Sequence, residues 1–175
     1  METTVESISR AKVRSGRHRA FPGVRVTTLV IFCIDPRYLF AALSFIAEDL
    51  GLRPGEFIIL PSPGGALHLR GAGWNSIARI YLHDTISFCF GDFPYLEQCV
   101  IINHERCLAY AKTKERHGSS FLKGMRMEDL QAKHLSDVLP EGSVATIPRK
   151  ASVRAFYMRI VDAQGEEVVF DEIEA

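Results

Sequence analysis

Apolar residues fall along this chain in short blocks with two different spacings. Val24 to Phe32, Phe57-Ile58-Ile59-Leu60 and Cys99 to Ile102 are continuous apolar or β-branched runs bounded by turn signals. Such runs predict strands buried on both faces. Between the first two, Phe40, Leu43, Ile46, Ala47 and Leu50 recur at helical spacing. They predict a helix from Tyr38 to Leu50, stopped by Gly51, with Arg53-Pro54-Gly55 as the following turn. From Leu67 to Cys89 the pattern is mixed. Trp74, Ile77, Ile80 and Tyr81 predict a helix, with Trp74 and Tyr81 as packing rather than a substrate box, and Ile86 and Phe88 either extend it or open a connector. Gly91-Asp92-Phe93-Pro94 breaks the chain before the third strand.

A polar helix is expected from Cys107 to His117. Another is expected from Met127 to Val138, with Leu130, His134, Leu135 and Val138 on one face. Val153 to Val161, a turn at Asp162-Ala163-Gln164-Gly165, and Glu167 to Phe170 predict a C-terminal hairpin. Strands alternating with helices predict an α/β fold: a central, mostly parallel β-sheet flanked by helices, with the hairpin at its end. In such sheets ligands bind at the carboxyl ends of the strands.

Composition narrows the function classes. The 175 residues suffice for one domain with a real core, expected over 24–175, preceded by an N-terminal arm or helix over 1–23. Lys and Arg total 21, as do Asp and Glu, so no global field attracts nucleic acid or an anionic membrane. The start is locally basic (Arg10, Lys12, Arg14, Arg17, His18 and Arg19), but Glu2 and Glu6 intrude and no apolar stretch follows. This favours a solvated arm, or a short helix on a partner subunit, over a secretory signal. No run approaches the roughly 18 apolar residues of a membrane span. With no signal and a chain too long to need staples, Cys33, Cys89, Cys99 and Cys107 are expected as free thiols in a reducing cytoplasm.

The candidate chemistry sits at two strand ends. Cys33-Ile34-Asp35-Pro36-Arg37 follows the first strand, and His104-Glu105-Arg106-Cys107 follows the third. Two thiolates and an imidazole at one sheet edge make three soft ligands, the count of a catalytic zinc site whose fourth position is left for water or a carboxylate. Zinc brings its water's pKa toward about 7 and makes hydroxide available at neutral pH. Asp35 and Arg37, two apart, point the same way and can pair. An Asp held by Arg can orient that hydroxide, whereas a freed Asp can swing onto the metal and close the site. Cys89 and Cys99, without partners at ligand spacing, are expected in the core. His68 is a pocket or proton-shuttle candidate, and His83-Asp84 an oriented imidazole; structural roles stand beside both. Gly64 and Gly65 shape a turn that can let backbone approach the site. Glu105 and Arg106 are either supports for the ligands or solvated charge.

Cys-x-Asp-x-Arg followed by His-x-x-Cys, each after an apolar strand, resembles the β-class carbonic anhydrases over roughly residues 24 to 170. The helix after the first motif, the Gly-Gly loop after the second strand and the terminal hairpin extend the likeness. The resemblance implies Zn2+ held by Cys33, His104 and Cys107, with Asp35 and Arg37 as a catalytic dyad. It implies a lyase in which zinc-bound hydroxide attacks carbon dioxide to give bicarbonate. It also implies a homodimer or higher homo-oligomer acting on a small molecule. The chain departs from the family's usual residues at Pro36, normally Ser, and in Asn103-His104-Glu105-Arg106-Cys107-Leu108, normally Gly-His-Ser-x-Cys-Gly. Pro61-Ser62-Pro63-Gly64-Gly65 stands where the family has Arg-Asn-Ala-Gly. These changes keep the ligands and alter the pocket. The alternatives are a zinc hydrolase of a related small electrophile, such as carbonyl sulfide or carbon disulfide, and a non-catalytic zinc-binding homologue. A thiol redox protein lacks the Cys-x-x-Cys spacing.

Overall fold

Five strands form one sheet in the order β2-β1-β3-β4-β5 in the computed structural model, which describes residues 23–70, 76–117 and 125–174. They are β1 (Thr28–Phe32), β2 (Phe57–Pro61), β3 (Gln98–His104), β4 (Ser152–Ile160) and β5 (Val168–Ile173). The first four neighbours are parallel, and β5 closes the edge antiparallel to β4 as the expected hairpin. Among the described residues, five α-helices flank the sheet: α1 (Leu39–Glu48), α2 (Leu67–Arg70), α3 (Ser76–Asp92), α4 (Leu108–His117) and α5 (Met127–Val138). The fold class is the expected one.

Burial of both sheet faces explains the unbroken apolar strands. Leu29 and Ile31 point to one face with Leu82 and Ile86 of α3 and Leu135 and Val138 of α5. Val30 and Phe32 point to the other, against Ala42, Phe45 and Ile46 of α1. All five residues of β1 are buried, as are six of the seven in β3. Each fully buried Leu or Ile contributes about 1.5–3 kcal/mol relative to exposure. That leaves the central strands as a rigid base for whatever their ends carry.

The start of the first strand and the buried face of α3 differ from expectation. The first strand starts at Thr28 rather than Val24, where the Thr27 amide donates to the Glu56 carbonyl and both flanking ladders begin. In α3, Leu82, Ile86 and Cys89 face the core, while Ile77, Ile80 and Tyr81 stand exposed. The expectation that Tyr81 is packing is therefore corrected. Apolar residues occupy two stripes of this helix, and periodicity alone does not say which one the sheet covers. Trp74 and residues 1–22 of the arm or helix expected over 1–23 lie outside the described residues.

Burial pushes the pKa of His68, His83 and His134 below the ordinary value of 6.5. The folded state then binds fewer protons than the unfolded chain once pH falls below that ordinary value. The stability contribution is present above about pH 6.5 and lost as pH falls below it. In urea unfolding of the metal-free protein, the midpoint is expected to drop from pH 7.5 to pH 5.5. An unchanged or higher midpoint at the lower pH would contradict it.

Candidate metal centre

The centre is built where β1 and β3 end side by side. Their parallel register pairs Phe32 with Ile102, so Cys33 leaves β1 beside the last residues of β3, and His104 is the terminal one. Cys107 follows a tight turn in which Arg106 takes φ 55°, just before α4. Cys33, His104 and Cys107 are all buried, and one ligand atom from each lies within 4.8 Å of the others. The two sulfurs are 3.8 Å apart.

The surroundings orient each donor. His104 Nδ1 lies 2.8 Å from the Glu105 carbonyl oxygen. A carbonyl only accepts, so Nδ1 carries the hydrogen and Nε2 keeps a lone pair. That Nε2 is buried and has no protein partner. An imidazole fixed in this tautomer by a backbone carbonyl is the usual arrangement of a metal-ligating histidine. The Gly64 amide donates to Cys33 Sγ at 3.3 Å. The hydrogen bond from Cys107 holds the Cys33 thiol below its ordinary pKa of 9.0, against burial, and the Gly64 amide acts in the same direction. The same bond, with burial, pushes Cys107 up. The sulfurs thus share one proton, in the place where a divalent ion would supply positive charge and release it. Two thiols, one oriented lone pair and a buried setting fit zinc.

Asp35 does not point its carboxylate into that trio. Arg37 grips it with Nε on Oδ1 at 2.9 Å and Nη2 on Oδ2 at 2.6 Å, and the Arg37 amide adds a third bond at 3.1 Å. These contacts, the side-chain bonds first, hold the Asp35 carboxyl below its usual range. Pro36 suits this geometry. It opens the short 3-10 turn Pro36–Tyr38 that Asp35 caps, a position where proline's missing amide leaves no bond unmade. A cavity of about 730 Å3 opens against Cys33, Asp35 and Arg37, with His68 and Leu108 in its wall.

His68 therefore sits beside the centre, nearly buried. His83 does not. Its ring lies mid-helix in α3 with Nδ1 3.0 Å from Thr146 Oγ1, so Thr146 rather than Asp84 is the residue that orients it. Cys89 and Cys99 are core residues, and burial pushes the Cys99 thiol up to about 12. Glu105, whose role the sequence does not separate from solvated charge, anchors the ligand turn from three sides. Its carbonyl takes the His104 hydrogen, its amide donates to the Met158 carbonyl, and its carboxylate accepts the Ile160 amide at 2.8 Å. No sequence signal links Glu105 to a strand 55 residues away.

The sequence matches no family model and no curated protein. Solved structures match by fold. A β-carbonic anhydrase isoform from the protozoan Trichomonas vaginalis aligns with a TM-score of 0.56 at 13% identity, covering 90% of this chain and 87% of that one. One of two tetrameric β-carbonic anhydrases from the ascomycete Sordaria macrospora aligns at 0.52 and 14% identity, covering 87% and 83%. The β-carbonic anhydrase CcaA aligns at 0.52 and 12% identity, covering 87% and 85%. The chain has the fold seen in those enzymes.

Proposed function

We propose that this chain is a zinc-dependent lyase of the carbonic anhydrase type that interconverts carbon dioxide and bicarbonate. The observation carrying the proposal is the buried convergence of Cys33, His104 and Cys107, with an unpartnered Nε2, beside an Asp35 clamped by Arg37. Cys33, His104 and Cys107 hold the metal. Zinc so held supplies Lewis acidity, bringing a coordinated water's pKa toward about 7. Asp35, kept ionised by Arg37, accepts a hydrogen bond from the reacting water and orients it toward the cavity. Arg37 keeps the carboxylate off the ligands and leaves the cavity side open. The mostly apolar wall beside them, including Leu108, suits a small uncharged molecule.

A cytoplasmic homodimer or higher homo-oligomer belongs to the same proposal. The exposed Phe40, Ile77, Ile80 and Phe88 support the assembly, because a second copy would cover them. Among the described residues no helix is long and apolar enough to cross a membrane. Leu108 and Ile34 in the cavity wall favour a second reading on the same metal, hydrolysis of carbonyl sulfide or carbon disulfide.

Stopped-flow carbon dioxide hydration by zinc-loaded protein, with Cys33→Ser as control, tests the first reading. A fast, zinc-dependent signal lost in the variant is expected. Full zinc occupancy with no hydration from neutral to alkaline pH overturns it. A panel of the two sulfur substrates on the same preparation then decides the second.

A further inference from the structure

The Gly64 amide reaches Cys33 only while the loop after β2 keeps its bend. Gly64 and Gly65 both take positive φ, 75° and 55°. A Cβ on Gly65 would strike Asn103 Oδ1 and would lie 2.7 Å from the Ile102 carbonyl oxygen. The loop is thus pressed against the end of β3 with no room for a side chain between them.

Asn103, 1% exposed, holds it there. Its Oδ1 accepts the Ala66 amide at 2.9 Å. Because that partner is a donor, the amide group of Asn103 has one orientation, and Nδ2 faces the Tyr110 hydroxyl at 3.1 Å. Tyr110, fully buried, accepts this hydrogen and turns its own O–H to His134 Nδ1, also 3.1 Å away. Donation runs one way from the Ala66 amide of the glycine loop through Asn103 of β3 and Tyr110 of α4 to His134 of α5, and the Gly64 amide of the same loop donates separately to the Cys33 sulfur. Each of these groups has its partner, and removing one member leaves another buried and unpaired.

We propose that Asn103, Tyr110 and His134 are positioning residues for the Cys33 thiolate, a buried relay that fixes the Gly64 amide on sulfur and so tunes the metal–sulfur bond. The proposal rests on Cys33 being a metal ligand. An N–H donor on a thiolate withdraws charge from it, and groups that support ligands in this way typically change metal affinity by about 10–100-fold when removed. The relay touches neither the substrate cavity nor the metal. A purely structural staple between α4, α5 and β3 would affect stability alone.

Cobalt-substituted protein separates the two, because its sulfur-to-metal charge-transfer band reports the thiolate directly. Asn103→Ala is expected to shift that band and to speed zinc loss to a chelator by about 10-fold or more. Tyr110→Phe, which keeps the ring, is expected to move both in the same direction by less, and it serves if Asn103→Ala does not fold. Ile46→Ala, in the core on the opposite sheet face, is expected to lower stability while leaving band and zinc loss unchanged. The proposal is overturned if folded Asn103→Ala or Tyr110→Phe keeps the wild-type band and rate, or if Ile46→Ala moves them as much. Wild-type protein with no sulfur band would overturn the metal reading, and this proposal with it.

Discussion

Replacing His104 with alanine is expected to leave a folded protein that no longer retains a stoichiometric zinc ion. The side chain offers the neutral nitrogen of the trio, and its Nε2 is already oriented, buried and unpartnered. Structural zinc sites bind with about 10–16 kcal/mol spread over four ligands, so one ligand accounts for about 3–4 kcal/mol. That is a loss of roughly 10²–10³ in affinity. The ring also packs on Tyr38, with centroids 4.7 Å apart, so alanine opens a gap in the core. Cys107→Ser, nearly isosteric, checks that the loss is of a ligand and not of packing. Metal content after dialysis against a mild chelator, with circular dichroism for folding, reads the outcome. Zinc retained at the wild-type level in both variants would exclude the trio as the metal site.

The second large effect is expected at Asp35. Asp35→Asn keeps the size and one oxygen but loses the charge that Arg37 grips from two directions. If the carboxylate takes a proton or orients the reacting water, kcat/KM for carbon dioxide hydration falls by about 10²–10⁴ while zinc content stays unchanged. Arg37→Ala should lose activity by another route. The freed carboxylate can close on the metal, so zinc is held as well or better while turnover falls. The two variants together distinguish a dyad from a surface ion pair, which is worth at most about 1 kcal/mol to stability and nothing to catalysis. Activity of Asp35→Asn within a few-fold of wild type would rule out the catalytic role.

Much of this architecture was legible residue by residue. β1 and β3 are buried on both faces, so their sequences are continuous and apolar. The spacing of Phe40, Leu43, Ile46, Ala47 and Leu50 located α1, but of these only Ile46 is fully buried: the covered face is Ala42, Phe45 and Ile46, and Phe40 stands exposed. The convergence of Cys33 with His104 and Cys107 could be read because parallel neighbouring strands end at the same edge and few residue types can hold a metal. α3 was harder. Its exposed Ile77, Ile80 and Tyr81 resemble a core stripe, and only contact with the sheet shows that Leu82, Ile86 and Cys89 are the buried set. Glu105 and the Gly64-Gly65 turn were legible as candidate supports of the centre, but their partners were not. Glu105 meets Ile160, Asn103 meets Ala66 and Tyr110 meets His134 across 55, 37 and 24 residues.

Cys33-Ile34-Asp35-Pro36-Arg37 and His104-Glu105-Arg106-Cys107 thus divide between two levels of information. Sequence by itself determined the order of strands and helices and which side chains with metal-binding chemistry stand at strand ends, because periodicity and ligand chemistry are local properties. Tertiary structure decided the tautomer of His104, the shared proton of the two cysteines, the grip of Arg37 on Asp35 and the loop that sets an amide on Cys33. Apart from two local contacts, the grip of Arg37 on a carboxylate two residues away and the His104 ring on the neighbouring Glu105 carbonyl, each of these depends on a hydrogen bond whose geometry exists only once the chain has closed on itself.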